Sequence, residues 1–98
     1  MATQRTDQIT LGDGAMDLHV WIPERGAGPG VLLIQEIFGV GPYIRAVADR
    51  LAAAGYTVGA PDVFWRFAPG YVAGHDQAGL QEAMGQVANL DPQQAVAD

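Results

Sequence analysis

The sequence predicts an α/β fold: a β-hairpin that leads into a strand–helix–strand unit, with the sheet left incomplete. Three observations predict it. An Asp13-Gly14 pair stands between two stretches of alternating character. Residues 30–34, Gly-Val-Leu-Leu-Ile, form a short continuous apolar run. Between Ile34 and Ile44 the apolar spacing changes from strand-like to helix-like.

The elements follow in order. Residues 8–11 and 15–22 are expected to be the two hairpin strands, because Asp-Gly supplies the positive-φ residues that a two-residue hairpin turn requires. In the second strand Met16, Leu18, Val20 and Ile22 share one face, and Asp17, His19 and Trp21 take the other. Pro23 ends it, and residues 24–30 are a Gly/Pro-rich connection. The run at 30–34 has the pattern of a parallel strand covered on both faces. After a loop over 35–41, Pro42 stands where a helix can begin. Ile44, Val47, Ala48 and Leu51 then recur at i, i+3, i+4 and i+7, which predicts a helix over residues 43–54 closed by Gly55 in a left-handed cap. Residues 56–60 are the next strand, stopped by Pro61. A long loop over 62–79 and a weaker helix over 80–87 are expected next. Asp91-Pro92-Gln93-Gln94 then opens a helix, with Asp91 as cap, Pro92 in the first position and Gln94 placed to complete a capping box. Two parallel strands and one crossover leave a sheet edge unpaired, and the last helix has hardly begun at Asp98. Residues 1–98 are therefore expected to be the N-terminal fragment of a single domain.

Composition restricts what the chain can do. It is 98 residues long, 49% hydrophobic and 16% charged, with a net charge of −6. There is no lysine and the five basic residues are scattered arginines, so the clustered charge needed for nucleic acid is missing. The same balance disfavours an anionic membrane surface, and no apolar run approaches the ~20 residues of a membrane-spanning helix. The polar start shows no secretory h-region, so a cytoplasmic location is the default expectation. Without cysteine there is no disulfide framework and no zinc-ligand spacing, and no cofactor is implied.

The segment with most chemical information is Gln35-Glu36-Ile37-Phe38-Gly39-Val40-Gly41. It leaves the carboxyl end of a buried strand and enters a helix, and ligands of open α/β sheets bind in crevices at such ends. A glutamate there can orient or deprotonate another group. It can equally be a solvent-facing carboxylate or an arginine's partner. Gly39-Val40-Gly41 with Asp62 some way downstream also imitates part of a dinucleotide fingerprint. The third glycine position holds Ile44, however, and Glu36 would repel a pyrophosphate.

The joined motifs resemble one family. Residues 34–40, then Pro42, Ile44-Arg45, Arg50-Leu51-Ala52-Ala53-Ala54-Gly55-Tyr56, Ala60-Pro61-Asp62-Val63-Phe64-Trp65-Arg66 and Ala68-Pro69-Gly70 look like the dienelactone hydrolases, or carboxymethylenebutenolidases. The resemblance implies the N-terminal part of an α/β-hydrolase fold that cleaves a small-molecule ester or lactone through a Cys-His-Asp triad. It assigns the family glutamate, which pairs with the cysteine and helps control its thiolate state, to Glu36. It assigns a backbone N–H of the oxyanion hole to Ile37. Phe38 is a candidate for the pocket lining, and Arg66 for the arginine that holds a substrate carboxylate.

The departures are equally definite. The chain has no serine, no cysteine and no Gly-x-Cys-x-Gly elbow. His19 falls in the hairpin and His75 in the long loop, neither at the position of a triad histidine. The fragment alone is therefore expected to be inactive, with the missing C-terminal part of the domain as its expected partner. The competing expectation is a non-catalytic α/β fragment that binds another chain through its open sheet edge.

Overall fold

A computed structural model describes residues 2–98 and arranges them as β1 (Thr3–Leu11), β2 (Gly14–Ile22), β3 (Gly30–Leu32), α1 (Pro42–Ala53), β4 (Thr57–Pro61), α2 (Gln77–Val87) and α3 (Pro92–Ala97). The strands form one mixed sheet in the order β1-β2-β4-β3. β2 runs antiparallel to β1 and β4, and β3 and β4 are parallel with α1 as their crossover. The hairpin and the strand–helix–strand unit are thus both present. Among the described residues no helix is long and apolar enough to cross a membrane.

β1 starts at Thr3 and not near residue 8. Its side chains are almost all exposed, so no apolar period marks it. Pairing with β2 over its whole length holds it, from Thr3 opposite Ile22 to Leu11 opposite Gly14. Polar cross-strand pairs add to this: Thr6 Oγ1 is 3.1 Å from His19 Nδ1, and Gln8 Nε2 donates to Asp17 Oδ1 at 3.2 Å.

Helix α1 forms where its spacing places it, with the stripe shifted toward Ala52, so that Val47 and Leu51 are only partly buried. Pro42 occupies the first turn, and Ile44, Ala48 and Ala52 form the buried stripe. At the other end the Tyr56 N–H donates to the Leu51 carbonyl at 3.1 Å and the Gly55 N–H to the Ala52 carbonyl at 3.0 Å. With Gly55 at φ +102°, this is the paired-bond cap that glycine permits.

The register sets which face carries the main core. His19 lies opposite Ala60 and Trp21 opposite Val58, and α1 packs on this side, so that Trp21, Val40, Ile44, Ala48, Ala52, Val58 and Ala60 make one cluster. The face of β2 that carries Asp17 and His19 is therefore the one that buries the tryptophan, only 1% exposed. Alanines at 48, 52 and 60 let helix and sheet approach around the indole. On the opposite face Met16 and Val20 are also buried, and the Trp65 ring packs against the hairpin at Gly14.

The expectation for residues 30–34 needs correction. Regular pairing ends at Leu32, and β3 is an edge strand. Val31 lies opposite Val58 and so shares the α1 face, and Leu33 packs against the core cluster there. Leu32 and Ile34 point to the other face, where they are 69% and 56% exposed. The run is apolar enough for two covers, but α1 provides only one.

The C-terminal helices depend on aspartate caps. α2 begins at Gln77, earlier than its apolar spacing suggests, because the Asp76 carboxylate accepts from the Gly79 N–H at 2.6 Å. Asp91 caps α3 by accepting from the Gln93 and Gln94 N–H groups. The expected capping box is not closed: the Gln94 amide donates forward to Asp98 at 3.0 Å.

Truncating Trp21 should show how much of the fold depends on this one ring. Trp21→Ala is expected to cost about 3–5 kcal/mol, the usual range for emptying a buried aromatic site. Urea denaturation would measure it, and a loss below about 1 kcal/mol would place the core elsewhere.

Candidate active site

Beyond β3 the chain makes a tight turn whose ends are joined by the Gly39 N–H donating to the Glu36 carbonyl at 3.1 Å. Ile37 and Phe38 are its central residues. In such a turn the central N–H groups have no partner within the turn, and the Ile37 N–H donates to no backbone carbonyl among the described residues. The turn thus carries the Glu36 carboxylate and a free Ile37 donor at the carboxyl end of the parallel strands, beside the start of α1.

Three contacts hold the turn in place. Gln35 links the ends of both parallel strands: its side-chain oxygen accepts from the Val63 N–H at 2.8 Å, and its amide donates to the Glu36 carbonyl at 3.2 Å. The Ala73 N–H donates to the Phe38 carbonyl at 2.9 Å. Gly39, at φ +84°, lies so close to the Tyr71 carbonyl that a Cβ would collide with that oxygen. Only glycine satisfies both the torsion and the approach.

Asp62 organises the loop that brings residues 71–76 to this turn. It is a buried carboxylate, accepting from the Gly70 N–H at 2.7 Å and also from the Phe64 N–H. Burial pushes its pKa up, the two N–H groups pull against this, and the neighbouring Asp17 adds a smaller upward push. An acid engaged in this way is not available to a ribose, which removes the remaining support for the dinucleotide pattern.

The same loop delivers His75. Its Nε2 is 3.4 Å from Glu36 Oε1, and its ring lies 4.2 Å from that of Phe38, centroid to centroid, at 31°. The Tyr43 ring is 6.0 Å away. Glu36, Phe38 and His75 are therefore brought together, with the Ile37 N–H in the same turn. Nothing local in the sequence signals that residues 36 and 75 meet.

Arg66 makes its contacts elsewhere. It pairs with Asp13 in the hairpin turn and with Asp98, 2.6 Å from Nη2 to Oδ1, and its guanidinium lies 4.3 Å from the centre of the Trp65 ring. Its guanidinium is occupied by two carboxylates, so a substrate carboxylate would have to displace them. Asp98 also accepts from Trp65 Nε1 at 3.1 Å, which ties α3 to the loop after β4. His19 remains in the sheet, where burial and then Arg45 hold its pKa below the ordinary value. Among the described residues no three His, Asp or Glu side chains converge as a metal-ligand set. A depression of about 800 Å³ lies beside the C-terminus of α1 between Pro23, Arg25 and Gly55, at the far end of that helix from Glu36.

Residues 16–98 match the family model described as the dienelactone hydrolase family. Carboxymethylenebutenolidase of Pseudomonas sp. strain P51 is 36% identical over 99 aligned residues, which take in 100% of this chain and 42% of that protein. A putative carboxymethylenebutenolidase of Synechocystis sp. is 45% identical over 80, covering 79% of this chain and 32% of its own length. The crystal structure of a putative dienelactone hydrolase from Klebsiella pneumoniae superposes with a TM-score of 0.77 at 29% identity, over 100% of this chain and 40% of that one. The chain thus spans about two fifths, or less, of the length of these relatives.

The Arg66 cluster generates a pH prediction. Arg66 first, then Gln94, holds the Asp98 carboxyl below the usual carboxylate range. A folded-state pKa below the unfolded one contributes stability that is present above the unfolded value of about 3.9 and is lost as pH falls through the folded value. Asp62 has the opposite sign: its contribution is present at low pH and lost as pH rises through its raised value. Followed by NMR, the Trp65 indole N–H resonance should keep its position through the ordinary aspartate range and move only in stronger acid. In Arg66→Ala the transition should shift upward. A transition in the ordinary range for both proteins would show that the pairing does not persist in solution.

Proposed function

The chain belongs to the dienelactone hydrolase family, and on that premise we propose that it supplies the glutamate and one oxyanion-hole donor of an ester- or lactone-cleaving site. The observation that carries this reading is the Glu36–Gly39 turn, with its free Ile37 N–H and its carboxylate at the carboxyl end of the parallel strands. The nucleophile has to come from residues outside these 98, because the sequence contains neither cysteine nor serine. The open edge of β3, with Leu32 and Ile34 uncovered, is where a further strand of the same domain would add.

The chemistry follows from charge. A cysteine attacks as its thiolate, and a nearby carboxylate anion does not stabilise a second negative charge. Glu36 therefore acts as proton acceptor: the thiol proton passes to the carboxylate as the sulfur pair attacks the carbonyl carbon. The carbonyl π pair moves onto oxygen, where the Ile37 N–H donates to it. One such donor is typically worth ~2.7–4 kcal/mol in the transition state. The C–O bond breaks and the alcohol or enol oxygen takes a proton from the protonated triad histidine. The histidine, now neutral, takes a proton from the water whose oxygen attacks the thioester, and the expelled thiolate recovers its proton from Glu36 as the carboxylic acid is released. Phe38 contributes an apolar wall. Arg66 would hold a substrate carboxylate only after releasing Asp98 or Asp13.

Two measurements test this. The purified 98-residue chain should turn over aryl esters no faster than buffer, since it has no nucleophile; turnover that survives repurification would contradict the reading. In a longer polypeptide that carries the nucleophile, Glu36→Gln should lower ester turnover while leaving the thermal midpoint in place. A fallen midpoint with unchanged turnover would make Glu36 a structural residue.

A further inference from the structure

The Glu36 carboxylate is asymmetric. Its side chain as a whole is 39% exposed, yet the Oε1 atom is wholly occluded and has no hydrogen-bond partner of standard length. An acceptor shut away from water is costly to leave unmatched. Among the described residues the basic group beside it is His75, whose Nε2 lies 3.4 Å away, a short ring movement from a hydrogen bond. The imidazole is not free to wander. The Phe38 ring lies 4.2 Å from it, centroid to centroid, tilted by 31°, and Tyr43, from the first turn of α1, borders it at 6.0 Å. Asp76, the next residue, is fixed as the cap of α2 through Gly79. The chain on its N-terminal side is fixed by the Ala73 N–H on the Phe38 carbonyl.

We propose that His75 is a positioning residue for Glu36: it holds Oε1 and thereby turns Oε2 toward the reacting group. The inference rests on the reading of Glu36 given above. A carboxylate on a flexible stem samples several rotamers, and only one of them faces a given neighbour. A donor that captures one oxygen selects that rotamer and leaves the other oxygen as proton acceptor. His75 is itself 47% exposed, so the pair adds little to stability. Its effect is on orientation, and that separates it from a merely structural contact. A structural contact would move the thermal midpoint, whereas an orienting one moves kcat.

The contact can be tested in this chain directly. It has only two histidines and three phenylalanines, so selectively labelled samples give few signals to assign. Nuclear Overhauser effects from the His75 ring to Phe38 and to the Glu36 methylenes are expected. Their absence in a folded sample overturns the proposal, whatever turnover shows.

The catalytic consequence is tested in the polypeptide that carries the nucleophile. His75→Ala should lower kcat about three- to tenfold, the scale of one partly exposed charge-assisted hydrogen bond, with KM and the thermal midpoint nearly unchanged. His75→Gln, which keeps an N–H donor, should recover most of the loss. Because His75 acts only through Glu36, Glu36→Gln combined with His75→Ala should be no slower than Glu36→Gln alone. If Glu36→Gln lowers kcat and His75→Ala does not, the role of His75 is overturned while that of Glu36 stands. If Glu36→Gln is itself without effect, the underlying reading falls and the positioning role falls with it.

Discussion

The indole of Trp21 fills the space between β2 and α1, in contact with a helix face of Ile44, Ala48 and Ala52 and a strand face of Val58 and Ala60. The small residues around it are as important as the ring. Alanine at 48, 52 and 60 permits the helix to lie close to the sheet, and the tryptophan occupies the volume that remains. Because the start of α1 follows directly on the 36–39 turn, the distance between helix and sheet also sets where Glu36 stands. A larger side chain at 48 or 60 would lift the helix and carry the turn with it, so the packing of an apolar layer and the placement of a carboxylate are one constraint.

Around the functional turn a second kind of force takes over. Gln35 and Asp62 each give a side-chain oxygen to a backbone N–H of a segment without regular structure, and Asp76 gives one to the first turn of α2, where no helical carbonyl is available. Buried amides need partners, and in a region without a ladder these three side chains supply them. For Asp62 the price is a partly desolvated carboxylate, seen in its raised pKa. What results is an irregular stretch with fixed internal geometry, against which the His75 ring can be held.

Much of this was legible in the sequence wherever the cause is local. α1 was readable from its apolar spacing and from Gly55, because both the stripe and the cap act within a few residues. The hairpin stands where Asp13-Gly14 drew attention, but its two turn residues are Gly12 and Asp13, and Gly14 already pairs with Leu11. Neither Asp13 nor Gly14 takes the positive φ expected of them. The position of Glu36 at a strand end was readable from the apolar run before it. β1 was half missed, since an exposed strand held by its neighbour has no period of its own. The start of α2 was missed although Asp76, three residues before Gly79, is a recognisable cap signal. For the site, the Gln-Glu-Ile-Phe-Gly motif drew attention to Glu36, Ile37 and Phe38. The approach of His75 to Glu36, like the pairing of Arg66 with Asp13 and Asp98, depends on loop paths that no spacing rule encodes.

The two edges of the sheet are chemically unlike. β1 presents Arg5 and Asp7, paired with each other at 3.0 Å, on a strand of mostly polar side chains. β3 presents bare backbone flanked by Leu32 and Ile34. Charged, polar edges resist the addition of foreign strands, whereas flat apolar ones invite it. The sheet therefore has a polarity of growth: the β3 side is the one whose chemistry favours an added strand, from its own polypeptide or from a neighbour in a crowded solution. When that side is unfilled, a strand offered by a neighbour meets its least polar resistance along the β3 edge.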